Sequence, residues 1–248
     1  MDALAAIARA FGAVHWSADP DHHRAVFTLI GEPGRLHAAV LDGAREAIAR
    51  IDINHHQGVH PRVGALDVAP VVYLDGAQRG AAIAEALVLA DELGELGIPV
   101  YLYGELAGGR TRAELRRSGG LDGVEPDFGP PAHPTAGATL VAARPPLIAF
   151  NVEVDAPLQA AREIAAGLRN DHVKALGLRL PSSGLVQVST NIEDHTRTTA
   201  ADVVAAVRRH ARVTGAELVA PAPRAALENF PEDVPLRGPA PLEDHLPS

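Results

Sequence analysis

The sequence predicts an α/β chain of the α+β kind, built as two ferredoxin-like split βαβ subdomains. Three observations carry this. Apolar residues recur at helical and strand spacing in alternation along the chain. The second half runs β-α-β-β-α-β. The first half repeats that order with its first strand missing.

Residues 1–11 read as a helix, followed by strands at Val14–Ser17 and Ala25–Ile30. Residues 34–51 read as a helix with Leu36, Val40, Ala44, Ala47, Ile48 and Ile51 on one apolar face. A His-rich loop then leads into a strand at Leu66–Leu74. A second long helix over residues 77–96 stops at Gly97, and Ile98–Tyr103 reads as a strand. Residues 108–146 are rich in Gly, Pro and Arg and read mostly as loop, longer than an ordinary connection.

In the second half, Leu147–Val154 reads as a strand. Asp155 reads as an N-cap, with Pro157 in the first turn of a helix to Arg169. Val173–Leu180 and Leu185–Thr190 read as a hairpin around Pro181-Ser182-Ser183-Gly184. Thr198 or Thr199 caps a helix that ends before Gly215, and Glu217–Ala220 closes the unit as a short strand. The expected organisation is an N-terminal subdomain over 1–145, a C-terminal subdomain over 146–230 and a tail over 231–248. The tail, rich in Pro, Asp and Glu, reads as lying on the surface or fraying.

Composition narrows the function. With no cysteine, the chain has no disulfide, thiolate metal site or cysteine nucleophile. The net charge is −9 and Lys174 is the only lysine, so the basic stripe of a nucleic-acid binder is missing. No apolar run approaches the ~18 residues that span a membrane. The N-terminus lacks the basic start of a signal peptide. Cytoplasmic location is the expectation, with small molecules rather than nucleic acid or membrane as partners.

The chemistry concentrates in Asn54–Val68, which holds His55, His56, His60, Arg62 and Asp67. Gly58 costs a helix about 1 kcal/mol and Pro61 about 3, so this is a loop. Histidine titrates nearest neutrality, which suits acid–base work. His22 and His23 lie beside Arg24 ahead of a strand; they read equally as site support or as a polar turn. Arg24 and Arg62 read as partners for carboxylates or as structural ion pairs. The cluster Arg110, Arg112, Arg116 and Arg117 reads as solvated surface, with binding of an anionic group as its functional alternative.

The run Gly58-Val59-His60-Pro61-Arg62-Val63-Gly64-Ala65-Leu66-Asp67-Val68 resembles the signature of glutamate formimidoyltransferases. These are folate enzymes found alone in bacteria and as the first domain of formiminotransferase-cyclodeaminase. Four further segments agree in order: Pro99–Glu105, Pro126–Pro130, Leu147–Asn151 and Gln187–Asn191. The resemblance implies transfer of a formimidoyl group from N-formimidoyl-L-glutamate to N5 of tetrahydrofolate, in histidine degradation and one-carbon metabolism. It implies a cleft between the two subdomains, folate as a cosubstrate, no metal, and a homodimer.

By its place in the motif, His60 is the catalytic histidine. The resemblance assigns Gly129, Pro130, Thr135 and Gly137 to a folate-contacting segment, with glycines that let backbone approach a flat ring. Gln187, Ser189 and Asn191 join the substrate-binding set, with strand-end hydrogen bonding as their other reading. His23, His56 and Asp67 are the supporting residues. The chain departs from the family pattern at four places. The opening strand and its polar turn are missing, Ser17 replaces an acidic or His residue, His23 replaces Asn, and Val59 replaces Glu. Three functions follow as expectations: a formimidoyltransferase, a folate-binding paralogue with weak or no transfer, and a His-rich metal-dependent hydrolase.

Overall fold

The computed structural model describes residues 2–56, 61–117 and 121–246. The chain divides into two compact units, Met1–Val14 with Ala18–Pro145, and His15–Ser17 with Pro146–Ser248. Among the described residues no helix is long and apolar enough to cross a membrane.

The chain opens with helix α1 (Asp2–Phe11), strands β1 (His15–Asp19) and β2 (Arg24–Thr28), and helix α2 (Leu36–Arg50). Ile7 and Phe11, one turn apart, pack with Ala47 of α2 into a small core. Strand β3 (Val68–Val72), helix α3 (Arg79–Glu95) and strand β4 (Val100–Leu102) follow. α3 buries Ala82, Ala86, Leu89, Ala90 and Leu93 at helical spacing against Val71, Val100, Leu102 and Val141.

The stretch expected to be mostly loop holds two elements, α4 (Arg112–Arg116) and β5 (Thr139–Arg144). β5 is the central strand of a three-stranded parallel sheet ordered β3-β5-β4. Its first five residues are all buried. A strand covered on both faces shows no apolar–polar alternation, so Thr139–Arg144 carried no strand signature. α4 escaped detection because five residues are too few to display a helical period.

Among the described residues, β2 pairs only with β1 and β3 only with β5. In the second unit the corresponding place in the strand order is filled. There β6 (Ile148–Asp155), α5 (Leu158–Leu168), β7 (Val173–Arg179), β8 (Val186–Ile192), α6 (Ala200–Arg208) and β9 (Arg212–Leu218) reproduce the expected β-α-β-β-α-β. The strand order β9-β6-β8-β7 places the first strand of that unit at the centre, antiparallel to both neighbours. α5 and α6 cover one face, burying Phe150, Val152, Val188, Ile192, Val203 and Val204.

Three local expectations differ. Asp155 ends β6 instead of capping α5; Pro157 is the N-cap and makes no side-chain bond. Of the two threonine candidates, Thr199 caps α6, in a capping box with Asp202. The last strand begins five residues earlier than the sequence suggests and runs through Gly215. That glycine sits opposite Glu153, where the β6–β9 register shifts, so it marks a bulge within the strand rather than the end of a helix.

The tail segment around Val234–Arg237 is bound to the sheet rather than frayed. Strand β10 (Leu236–Arg237) pairs in parallel with β9, Val234 is buried, and Arg237 forms an ion pair with buried Glu153.

Candidate active site

The His-rich loop is pinned at both described ends. Asp52 caps a short 3-10 turn over Ile53–His55 by accepting from the Asn54 amide at 2.9 Å. The Ile53 amide donates to the Thr135 carbonyl at 2.8 Å, and the Asn54 side-chain amide donates to the Pro134 carbonyl at 2.9 Å. Arg62 Nη2 donates to the His56 carbonyl at 2.8 Å, tying the two sides of the loop together. His60, the residue the motif marks as catalytic, lies outside the described residues.

Beyond the loop, Val63 to Ala65 pair with Ala136 to Ala138. Ala138 donates to the Val63 carbonyl at 2.9 Å and Ala65 to the Ala136 carbonyl at 2.8 Å. Gly64 and Gly137 face each other in an isolated antiparallel bridge. Gly137 has φ +68°, and a Cβ there would crowd the Val63 carbonyl and sit 2.9 Å from Gly64 Cα. Gly129 has φ +80° and its α-carbon packs against Ile98 and Gly94. Both glycines are therefore used for close approach of the chain to itself.

The centre of the site is Asp67. Its Oδ1 accepts from the Val63 amide at 2.7 Å. Its Oδ2 accepts from both Arg24 and Arg116. Arg116 is a residue sequence reasoning placed on the solvated surface, yet its side chain is only 11% exposed. The i, i+4 spacing of Arg112 and Arg116 sets two guanidiniums on one side of a helical turn, a pattern shared by solvated and buried charges alike. Burial, and then Arg116, Arg112 and Arg62, pull the Arg24 pKa down to about 10. Burial, and then Arg112, bring Arg116 to about 10 as well. Both remain cations at neutral pH. Elsewhere in the cluster, Arg110 serves the fold: it donates to the Leu102 carbonyl and to Asp127.

His23 and His56 stack with ring centroids 4.3 Å apart. His23 has φ +51°, the left-handed region that asparagine and glycine enter most readily. Burial, and then Arg62, His23 and Arg24, push the His56 pKa down to about 4. His56 is thus a neutral imidazole at working pH, with Nε2 buried and lacking a hydrogen-bond partner. His22, the other neighbour of the turn, is bonded to Asp19 at 2.5 Å.

The first unit thus gathers His23, Arg24, His56, Arg62, Asp67 and Arg116 through direct contacts, and ties Thr135 and Gly137 to the adjoining backbone. Gly129 lies instead at the turn between α3 and β4. A surface depression of about 410 Å³ beside α4 is lined by Arg110 and Arg117 of the arginine cluster and by Glu114, and includes none of the residues assigned to catalysis, substrate or support. Among the described residues, no three His, Asp or Glu side chains gather as a metal ion would use them.

In the second unit, Gln187, Ser189 and Asn191 alternate along β8 and share the face away from α5 and α6. Their cross-strand neighbours on β6 are Glu153, Asn151 and Ala149. Asn151 donates to Glu217 of β9 at 2.9 Å. Gln187 is 1% exposed, and its Nε2 lacks a hydrogen-bond partner. Asn151, Glu153 and Glu217 extend this polar face beyond the residues nominated from sequence. Asn151 was within reach, since it ends the Leu147–Asn151 segment that carries part of the resemblance.

The chain matches the model of the formiminotransferase domain, N-terminal subdomain, over residues 1–144. It is 36% identical over 221 residues to the formimidoyltransferase-cyclodeaminase of Sus scrofa, covering 78% of this chain and 41% of that protein. It is 35% identical over 214 residues to the glutamate formimidoyltransferase of Streptococcus pyogenes serotype M1, covering 77% and 72%. The enzyme of the same name from Thermoplasma acidophilum is 33% identical over 200 residues, covering 73% and 66%. The chain spans about two fifths of the length of the formimidoyltransferase-cyclodeaminases it matches. On the match over residues 1–144 and the similarity to the Streptococcus pyogenes enzyme, the chain belongs to the formiminotransferase family.

Proposed function

We propose that this protein transfers a formimidoyl group from N-formimidoyl-L-glutamate to N5 of tetrahydrofolate. The observation that carries the reading is the Asp67 cluster. It sets Arg24 and Arg116 on one carboxylate, beside a loop held by Arg62 and stacked through His56. Guanidiniums ordered in this way suit the carboxylates of a glutamyl substrate. The printed names of the relatives, glutamate formimidoyltransferase, support the formimidoyl-transfer part of this reading.

In the reaction, folate N5 attacks the formimidoyl carbon and loses its proton. The tetrahedral intermediate then collapses. The bond from carbon to the glutamate nitrogen breaks, and that nitrogen gains a proton. One group near neutral pKa can perform both transfers. We assign them to His60, since His56 is held neutral and titrates near pH 4. Arg24 and Arg62 hold donor carboxylates. Within the first unit, Thr135 and Gly137, with Gly129 and Pro130, are assigned to folate. The reaction as written needs no metal.

The test is a transfer assay with tetrahydrofolate and N-formimidoyl-L-glutamate, run with and without chelator. The expected result is transfer in both, with His60→Ala lowering turnover about 10²–10⁴-fold. Folate binding without transfer by the parent chain would replace the enzyme reading with a binding protein. Activity lost on chelation together with about one bound metal per chain would point to the hydrolase.

A further inference from the structure

The described side chains around Asp67 are rich in donors and short of acceptors. Arg24, Arg62 and Arg116 can only donate. Both carboxylate oxygens of Asp67 are taken, Oδ1 by the Val63 amide and Oδ2 by Arg24 and Arg116. His56 differs from these: its Nε2 is buried and has no hydrogen-bond partner. A buried polar atom without a partner is rare, and it asks for an explanation in function or in a bound molecule.

The ring is held in place. It stacks on His23 with centroids 4.3 Å apart, and Arg62 Nη2 donates to the His56 carbonyl at 2.8 Å. His56 and Arg62 thus stand at the two ends of the segment whose sequence includes His60, the residue assigned to proton transfer. Burial, and then Arg62, His23 and Arg24, hold the His56 pKa down to about 4, so the ring is neutral at working pH. The same surroundings decide which nitrogen carries the hydrogen. An N–H is repelled in the field of two guanidiniums, whereas a lone pair is attracted. A buried N–H without a partner is also rarer than a buried acceptor without one. Nε2 is therefore assigned the lone pair.

We propose that His56 Nε2 accepts a hydrogen bond from the terminal nitrogen of the formimidoyl group, and so selects a formimidoyl over a formyl donor. This deepens, and rests on, the transfer reaction proposed above. The two donors differ at one atom. The formimidoyl carbon carries a terminal nitrogen bearing hydrogen, whereas the formyl carbon carries a carbonyl oxygen with lone pairs only. An acceptor pairs with the first and meets the second lone pair to lone pair. A site built to bond a substrate N–H rejects the analogue that lacks it more strongly than an apolar pocket rejects a change of size. The stack on His23 orders the ring beforehand, so little side-chain freedom is lost on binding.

The experiment is calorimetric titration of the full chain with N-formimidoyl-L-glutamate and with N-formyl-L-glutamate, with transfer to tetrahydrofolate measured from each. The parent should bind the formimidoyl donor at least about tenfold more tightly. His56→Phe keeps a ring to stack on His23 and removes both nitrogens; it should bring the two affinities within about threefold of each other. His56→Gln keeps a side-chain acceptor and should retain most of the preference. The parent comparison needs no variant, so it tests the proposal even if His56→Phe unfolds.

Equal affinity of the parent for the two donors overturns the proposal. So does a folded His56→Phe that keeps the parent's preference. Loss of the preference in His56→Gln as well would assign it to the shape of the ring and not to the acceptor, which also overturns it. Preferential binding of the formimidoyl donor without transfer would sink the reaction and uphold the site. Transfer from that donor, with a preference untouched in His56→Phe, would sink the site and leave the reaction.

Discussion

Replacing Gly137 by alanine separates a folding role from a ligand-binding role. Gly137 sits at φ +68°, where a residue with a Cβ pays about 1–2 kcal/mol. The added carbon would also press on the Val63 carbonyl and lie 2.9 Å from Gly64 Cα, both backbone atoms of a paired segment. Relieving that crowding costs about 1–3 kcal/mol more. The smaller entropy of the unfolded alanine chain returns about 0.4–1 kcal/mol. The net expectation is a loss of about 1–5 kcal/mol, centred near 3.

Gly97 is the control. Its φ is +85° and nothing lies within 4 Å of its missing Cβ, so only the backbone cost applies. Gly97→Ala should lose about 1 kcal/mol. Urea unfolding followed through Tyr73, Tyr101 and Tyr103, all in the first unit, reads the global effect. Hydrogen exchange at the Ala65 and Ala138 amides reads the bridge itself. If the two variants lose the same stability, the close approach of Gly137 to Val63 contributes nothing and the reasoning fails. The same geometry means that Gly137→Val cannot serve as a clean steric probe of folate binding.

Two further outcomes are expected. The unfolded chain takes up a proton at His56 near pH 6.5, whereas the folded chain does so only near 4. The stability tied to neutral His56 is therefore complete above about pH 6.5 and is lost as pH falls toward 4. His56→Gln should flatten the dependence of Tm on pH across that window, and an unchanged slope would reject the assignment. In the second unit, Thr199→Ala removes the hydroxyl that accepts from the Asp202 amide at 3.2 Å and should cost about 1 kcal/mol. Thr198→Ala should change the urea midpoint less; equal losses would mean that the capping box does not anchor α6.

What the sequence determined by itself is the material with local periodicity. The long helices, the strands β6 to β8 and the order of the second unit were legible because one-sided burial imprints a period on the residues. The resemblance in Gly58–Val68 was legible because chemistry fixes residue types at close spacing. Tertiary structure alone decided the rest. β5 became the central strand of a parallel sheet, and burial on both faces erased its pattern. Gly215 looked like a helix stop in sequence and proved to be a bulge beside Glu153. Pro231 onward read as a tail lying on the surface or fraying, and Leu236–Arg237 became an edge strand paired with β9. Arg116 looked like a solvated charge. Asp67, 49 residues away, made it part of the site. A charge on a short helix carries no local mark of burial. Its role is set by the counter-charge that folding brings to it, and no spacing within the sequence records that distance.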